Sequence, residues 1–182
     1  AIATAERRGL FEEVDGATAR SILGEVDRLS REELAASFED GDRHPPEFDP
    51  VAHAVRMNPA FARSYQAFMD AEWYRLQLPV ELGGTPAPAS LVWATAELVL
   101  GANPPVWMYS AGPSFANVVH RNGNDRDKLI ARHMVDRRWG ATMVLTEPDA
   151  GSDVGAGRTK AIRQADGSWH IEGVKRFITS GD

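Results

Sequence analysis

Apolar positions recur at helical spacing over most of the chain and switch to alternation near its end. From Ala17 to Ala36, the residues Ile22, Leu23, Val26, Leu29 and Leu34 fall near a helical period. Ser30 with Glu33 reads as a capping box, which predicts a fresh helix start inside that stretch. Asp40 to Pro46 reads as a loop. Asn58-Pro59 pairs an N-cap residue with a proline at the first helical position. The helix predicted from Pro59 to Leu76 buries Phe61, Tyr65, Phe68, Met69 and Leu76 and is ended by Pro79. Glu81 to Pro86 is a turn containing Gly83-Gly84. From Pro88 to Leu100 the chain is apolar on most faces, through Leu91, Val92, Ala94, Ala96, Leu98 and Val99, which predicts a central helix. Asn103-Pro104-Pro105 breaks it. Further helices are predicted from Pro105 to His120 and from Asn124 to Val135, joined at Asn122-Gly123.

After Val135 the period changes. Trp139 to Leu145 is β-like. Arg158 to Gln164 and Ser168 to Glu172 are short runs joined by Asp166-Gly167, a strong hairpin signal. Val174 to Thr179 reads as one more strand after Gly173. Helices first and strands afterwards predict an α+β chain, with a helical domain over 1–137 and a β domain begun over 138–182. So few strands leave an open edge, so the β part is expected to be incomplete.

Length and composition agree with this. The chain has 182 residues, 43% hydrophobic and 25% charged, as in ordinary globular proteins. A net charge of −6 disfavours nucleic acid and anionic lipid as partners. The basic run Arg121, Arg126, Lys128, Arg132, Arg137, Arg138 reads as a solvated helix surface. With no cysteine, disulfides, thiolate zinc sites and thiol catalysis are excluded. Neither a basic-then-apolar leader nor an apolar run of spanning length is present, so cytoplasmic localisation without membrane insertion is expected. The chain opens at Ala1 rather than Met, as expected of a processed or excised segment. Its five histidines lack metal-ligand spacing, and Gly155-Ala156-Gly157 lacks the βαβ setting of a dinucleotide fingerprint.

The candidate chemistry concentrates in Ala141 to Val154. Met143, Val144 and Leu145 form an apolar run ending at the hydroxyl of Thr146. Strand-end N–H and C=O groups match the alternating edge of a flat heterocycle, and a threonine hydroxyl both donates and accepts there. Glu147 precedes Pro148 and is pushed towards an extended conformation. Gly151 permits close backbone approach, and Ser152 among exposed N–H groups suits a phosphate oxygen. On residue chemistry alone, a ligand-free strand, Pro-Asp turn and Gly-Ser loop is the favoured reading, since turn chemistry by itself explains Pro148, Asp149, Gly151 and Ser152.

Three motifs resemble one family. Thr146-Glu-Pro-Asp-Ala-Gly-Ser-Asp153 matches the signature of the acyl-CoA dehydrogenase flavoproteins. Gly173-Val-Lys-Arg-Phe-Ile-Thr-Ser-Gly181 is similar to the family's Gly-x-Lys-x-Trp-Ile-Thr-Asn-Gly segment, with Phe177 for Trp and Ser180 for Asn. Leu78-Pro-Val-Glu-Leu-Gly-Gly84 is similar to its Pro-Glu-x-Gly-Gly turn. The resemblance spans Phe61 to Asp182, and residues 1–55 stand as a family-atypical extension. It implies an N-terminal helical domain, the first strands of a middle β-barrel domain, and a C-terminal four-helix domain lying outside these residues. It implies FAD, faced by Met143, Leu145, Thr146, Gly151, Ser152, Phe177, Ile178 and Thr179. Ser152 and Tyr109 are the implied acyl-CoA contacts, and the catalytic carboxylate base is expected beyond Asp182. Glu147 is assigned to the turn rather than to proton abstraction. The implied reaction is α,β-dehydrogenation of an acyl-CoA to a 2-enoyl-CoA, as in fatty-acid β-oxidation, by a homodimer or homotetramer. An electron-transfer flavoprotein is an expected acceptor, and the segment by itself is expected to be inactive. An acyl-CoA oxidase, a flavin monooxygenase or a non-catalytic flavin-binding or stress-protection paralogue on the same scaffold are the alternatives.

Overall fold

A computed structural model describes residues 4, 7–9 and 14–180. The chain divides into two compact units, one ending at Gly140 and the other running from Ala141.

The first unit is helical. Helix α1 (Gly16–Leu29) starts on Asp15, whose carboxylate accepts from the Thr18 amide. Its buried face is Ala19, Ile22 and Val26. The predicted restart at Ser30 does not occur. Leu29 and Ser30 keep right-handed helical dihedrals, and the chain continues as a wide π-turn (Ser30–Leu34) and a tight 3-10 turn (Ala35–Ser37). An N-cap needs extended dihedrals, which Ser30 lacks. Irregular turns displace carbonyls from the helical ladder, and other helices recover them. Ser64 Oγ donates to the Glu33 carbonyl at 2.6 Å, and Asn103 Nδ2 donates to that of Leu34 at 2.9 Å.

The predicted loop at Asp40–Pro46 is half helical, because helix α2 spans Phe38–Arg43. A short antiparallel hairpin follows, β1 (Glu47–Asp49) with β2 (Ala54–Arg56), which sequence periodicity does not reveal. Helix α3 (Pro59–Ala71) begins as predicted, with Asn58 Oδ1 accepting from the Ala60 and Phe61 amides. It ends before Leu76. Glu72 adopts a left-handed conformation and the chain tightens into a 3-10 turn over Trp73–Gln77. Phe61, Phe68, Met69 and Leu76 are buried, whereas Tyr65 is half-buried.

Helix α4 (Ala89–Ala102) packs against α1 and the π-turn and buries Leu91, Thr95, Ala96 and Val99. Its opposite face leaves Trp93 66% exposed, so the helix is not enclosed on every side. The helix predicted over 105–120 is two helices, α5 (Pro104–Tyr109) and α6 (Gly112–Asn122), interrupted at Ser110-Ala111. Gly112 explains the break. A Cβ there would overlap the Trp139 carbonyl, so the chain is drawn against its neighbour at that point. Helix α7 (Asp125–Asp136) returns along α6 and opens on a capping box between Asn124 and Asp127. Among the described residues, no helix is long and apolar enough to cross a membrane.

The second unit holds one antiparallel hairpin, β3 (Lys160–Arg163) with β4 (Trp169–Glu172), in the register Lys160 to Glu172 and Arg163 to Trp169. Gly167 supplies the positive φ of its turn, +85°. The strands predicted over Trp139–Leu145 and Val174–Thr179 are absent. Both segments are irregular and make no continuous ladder, and Phe177, at φ +56°, leaves β geometry altogether. Among its described residues, the second unit shows one small antiparallel sheet.

Candidate functional site

The two motif segments of the second unit lie side by side. Thr142 Oγ1 donates to the Thr179 carbonyl at 2.5 Å, and the Arg176 amide donates to the Thr146 carbonyl at 2.9 Å. Residue 142 therefore meets 179 while 146 meets 176, an antiparallel approach fastened mainly by side chains. Lys175 Nζ adds a bond to the Leu145 carbonyl at 2.9 Å. The carbonyls of Leu145 and Thr146 are thus both occupied by the second motif. Among the described residues, the amides of Leu145 and Thr146 donate to no protein acceptor.

Beside these carbonyls, Glu147 and Ala150 close a tight turn, each amide bonded to the other's carbonyl. Pro148 and Asp149 form its exposed tip, and Gly151 and Ser152 follow on the surface. The Glu147 side chain points away from the tip and is buried, 7% exposed. It accepts from the Arg158 amide at 2.6 Å, the Thr159 amide at 2.9 Å and Lys175 Nζ at 2.8 Å. The Lys175 ammonium, followed by the Thr159 side chain and the Arg158 and Thr159 amides, holds its carboxyl far below the usual carboxylate range. Gly173 makes this possible. A Cβ there would lie 2.7 Å from Thr159 Cβ and 2.8 Å from its Cα, so only glycine lets the motif approach β3 so closely.

The predicted site residues separate into two groups. Met143, Val144 and Leu145 are exposed at 60%, 48% and 45%, and Phe177 at 79%. Thr146 and Ile178 are half-buried, and Thr179 is exposed. These residues share the second unit with Gly151 and Ser152. Phe177 is a bulky residue held in a left-handed conformation, with the Arg176 guanidinium 4.6 Å over its ring. Tyr109 belongs to the first unit. It meets Phe61 edge to face at 5.6 Å and lines a largely apolar cleft of about 270 Å³ with Phe38, Met57 and Pro105. Sequence reasoning missed Lys175, Arg158 and Thr159 as the partners of Glu147. The usable signal was one acid and one lysine placed in two separate apolar motifs.

Residues 142–182 match the acyl-CoA dehydrogenase middle-domain family. The chain is 54% identical over 174 residues to the broad-specificity linear acyl-CoA dehydrogenase FadE5 of Mycobacterium tuberculosis, covering 96% of this chain and 28% of that protein. The chain belongs to the acyl-CoA dehydrogenase family. Within that family it is also 30% identical over 177 residues to the 3-methylmercaptopropionyl-CoA dehydrogenase of Ruegeria pomeroyi, covering 94% of this chain and 29% of that one. Its fold matches the acyl-CoA dehydrogenase of Bacillus anthracis, solved as a complex with FAD, at a TM-score of 0.67 and 21% identity. That match covers 93% of this chain and 27% of the other. The chain thus spans less than a third of the length of the acyl-CoA dehydrogenases it matches.

Proposed function

We propose that the protein carrying this chain is an FAD-dependent acyl-CoA dehydrogenase acting on linear acyl-CoA thioesters. The single observation that carries the reading is that the two motif segments lie side by side, joined at Thr142 with Thr179, Leu145 with Lys175 and Thr146 with Arg176. Met143, Leu145 and Phe177 offer exposed apolar contact, and the amides of Leu145 and Thr146, which have no protein acceptor among the described residues, offer donors. A flat, acceptor-edged ring fits such a face, so the residues present suit a flavin. High identity to a broad-specificity linear acyl-CoA dehydrogenase supports the substrate class. In this reading residues 138–182 open the middle domain and residues 1–137 form the helical one.

The roles follow from residue chemistry. FAD, when bound, accepts the hydride lost from the β-carbon of the thioester. Thr146 hydrogen-bonds the ring through its hydroxyl, which serves as donor or acceptor as the redox state requires. Met143, Leu145, Phe177, Ile178 and Thr179 exclude water from the ring. Gly151 and Ser152 present backbone N–H groups and a hydroxyl to phosphate oxygens, and Ser152 also meets the acyl-CoA. Tyr109 contributes an apolar wall for the acyl chain. Glu147 is unsuited to proton abstraction, because its oxygens are taken by two amides and an ammonium. The α-proton is taken by a carboxylate outside these residues. Homo-oligomerisation and transfer of electrons to a flavoprotein acceptor complete the proposal.

The test is flavin content. Purified full-length protein is expected to carry FAD, and Thr146→Ala to lower its retention or shift its reduction potential. A full-length protein with no flavin absorbance contradicts the reading. Unchanged retention and potential in Thr146→Ala removes that residue from the site.

A further inference from the structure

The two motif segments do not form a ladder, yet they stay together, and the means is unusual. Lys175 Nζ reaches both the Leu145 carbonyl and the Glu147 carboxylate, so it brackets Thr146 from either side. Glu147 in turn binds the amides of Arg158 and Thr159 at the start of β3. One carboxylate therefore ties together the signature turn, the hairpin and the second motif. Its burial ties the carboxylate to these partners, since a buried carboxylate without its cation and donors is strongly disfavoured. The Lys175 side chain is itself only 25% exposed.

We propose that Glu147 and Lys175 are positioning residues, a buried ion pair that fixes the Leu145–Thr146 peptide against the Arg176–Thr179 segment and so sets the geometry of the flavin face. The pair touches neither ring nor substrate. It acts through the Leu145 carbonyl, which orients the peptide whose amide belongs to Thr146. Turning that peptide by even a modest angle redirects both the Thr146 amide and the hydroxyl beyond it. The inference rests on the flavin reading given above.

Four forms of the full-length protein test it: the unaltered protein, Lys175→Met, the double variant Glu147→Gln with Lys175→Met, and Lys175→Arg. The double variant removes both charges, so no unpaired anion is left buried to unfold the chain. Apoprotein of each is titrated with FAD, and the visible absorbance and circular dichroism of the bound flavin are recorded with the far-ultraviolet spectrum. In Lys175→Met and in the double variant, FAD affinity is expected to fall by about tenfold or more with a shifted flavin spectrum, and in the double variant the far-ultraviolet spectrum is expected to be unchanged. Lys175→Arg, which still reaches both acceptors, is expected to regain most of the affinity and the unaltered spectrum. Wild-type affinity and flavin spectrum in the double variant overturn the positioning role. So does a Lys175→Arg protein that folds but behaves as Lys175→Met. Failure of the unaltered protein to bind FAD instead overturns the flavin reading itself.

Discussion

Glu147 shows how far one side chain can be committed by its neighbours. It precedes a proline and occupies a turn, yet its carboxylate is folded inward onto an ammonium and two amides. Its carboxyl is held far below the ordinary value of 4.5, with Lys175 the first cause. A depressed folded value means the stabilisation is complete above about pH 4.5 and is lost as pH falls below it towards the folded value. The Arg158 and Thr159 amide protons report this directly in a nuclear magnetic resonance titration. They are expected to show no inflection near pH 4.5 and to move only at lower pH. A midpoint near 4.5 for both would mean the carboxylate is not engaged in solution. The sequence shows that Glu147 sits in a turn but not what it binds, because Lys175 lies 28 positions away and only the fold brings them together.

Helix starts were legible because caps are local. Asn58 caps as the sequence predicts, accepting from the Ala60 and Phe61 amides, and the helix predicted from Asn124 begins there, with Asn124 accepting from the Asp127 amide. Helix ends and interruptions were not, because their causes are distant. Ser30 passes as a cap in sequence, but Ser64 and Asn103 take up the carbonyls that an irregular turn frees, so the helix runs on. The break after Tyr109 comes from the Trp139 carbonyl against Gly112. Hydrophobic periodicity likewise names the residues of α4 but not which face they cover. Leu91 is fully buried and Trp93 is not, so Leu91→Ala is expected to cost about 2–5 kcal/mol and Trp93→Ala no more than about 0.5 kcal/mol. Denaturant unfolding followed by circular dichroism checks both. Equal losses at the two positions would mean the outer face of α4 is covered in solution. Asn124→Ala is expected to cost about 1 kcal/mol through the lost α7 cap, read by the same unfolding measurement. No loss there would mean that solvent serves the first turn equally well.

For the molecule as a whole, the change of period near Val135 marked where the α-helices end, although the β1–β2 hairpin interrupts the helical part ahead of α3. The β3–β4 hairpin was readable from Asp166-Gly167, since the turn chemistry is carried by the turn itself. The flanking segments were read as strands because Met143–Leu145 and Val174–Thr179 have strand composition. Pairing requires a neighbour as well as composition, and these segments find each other through side chains instead. The candidate site was therefore visible as two motifs but not as an assembled face. The two segments are proposed to hold a flavin serving acyl-CoA oxidation. Anaerobic titration of the full-length protein with linear acyl-CoA thioesters tests it most directly. Bleaching of the flavin band by at least one chain length is the predicted result, and an oxidised spectrum unchanged across short, medium and long chains would contradict it.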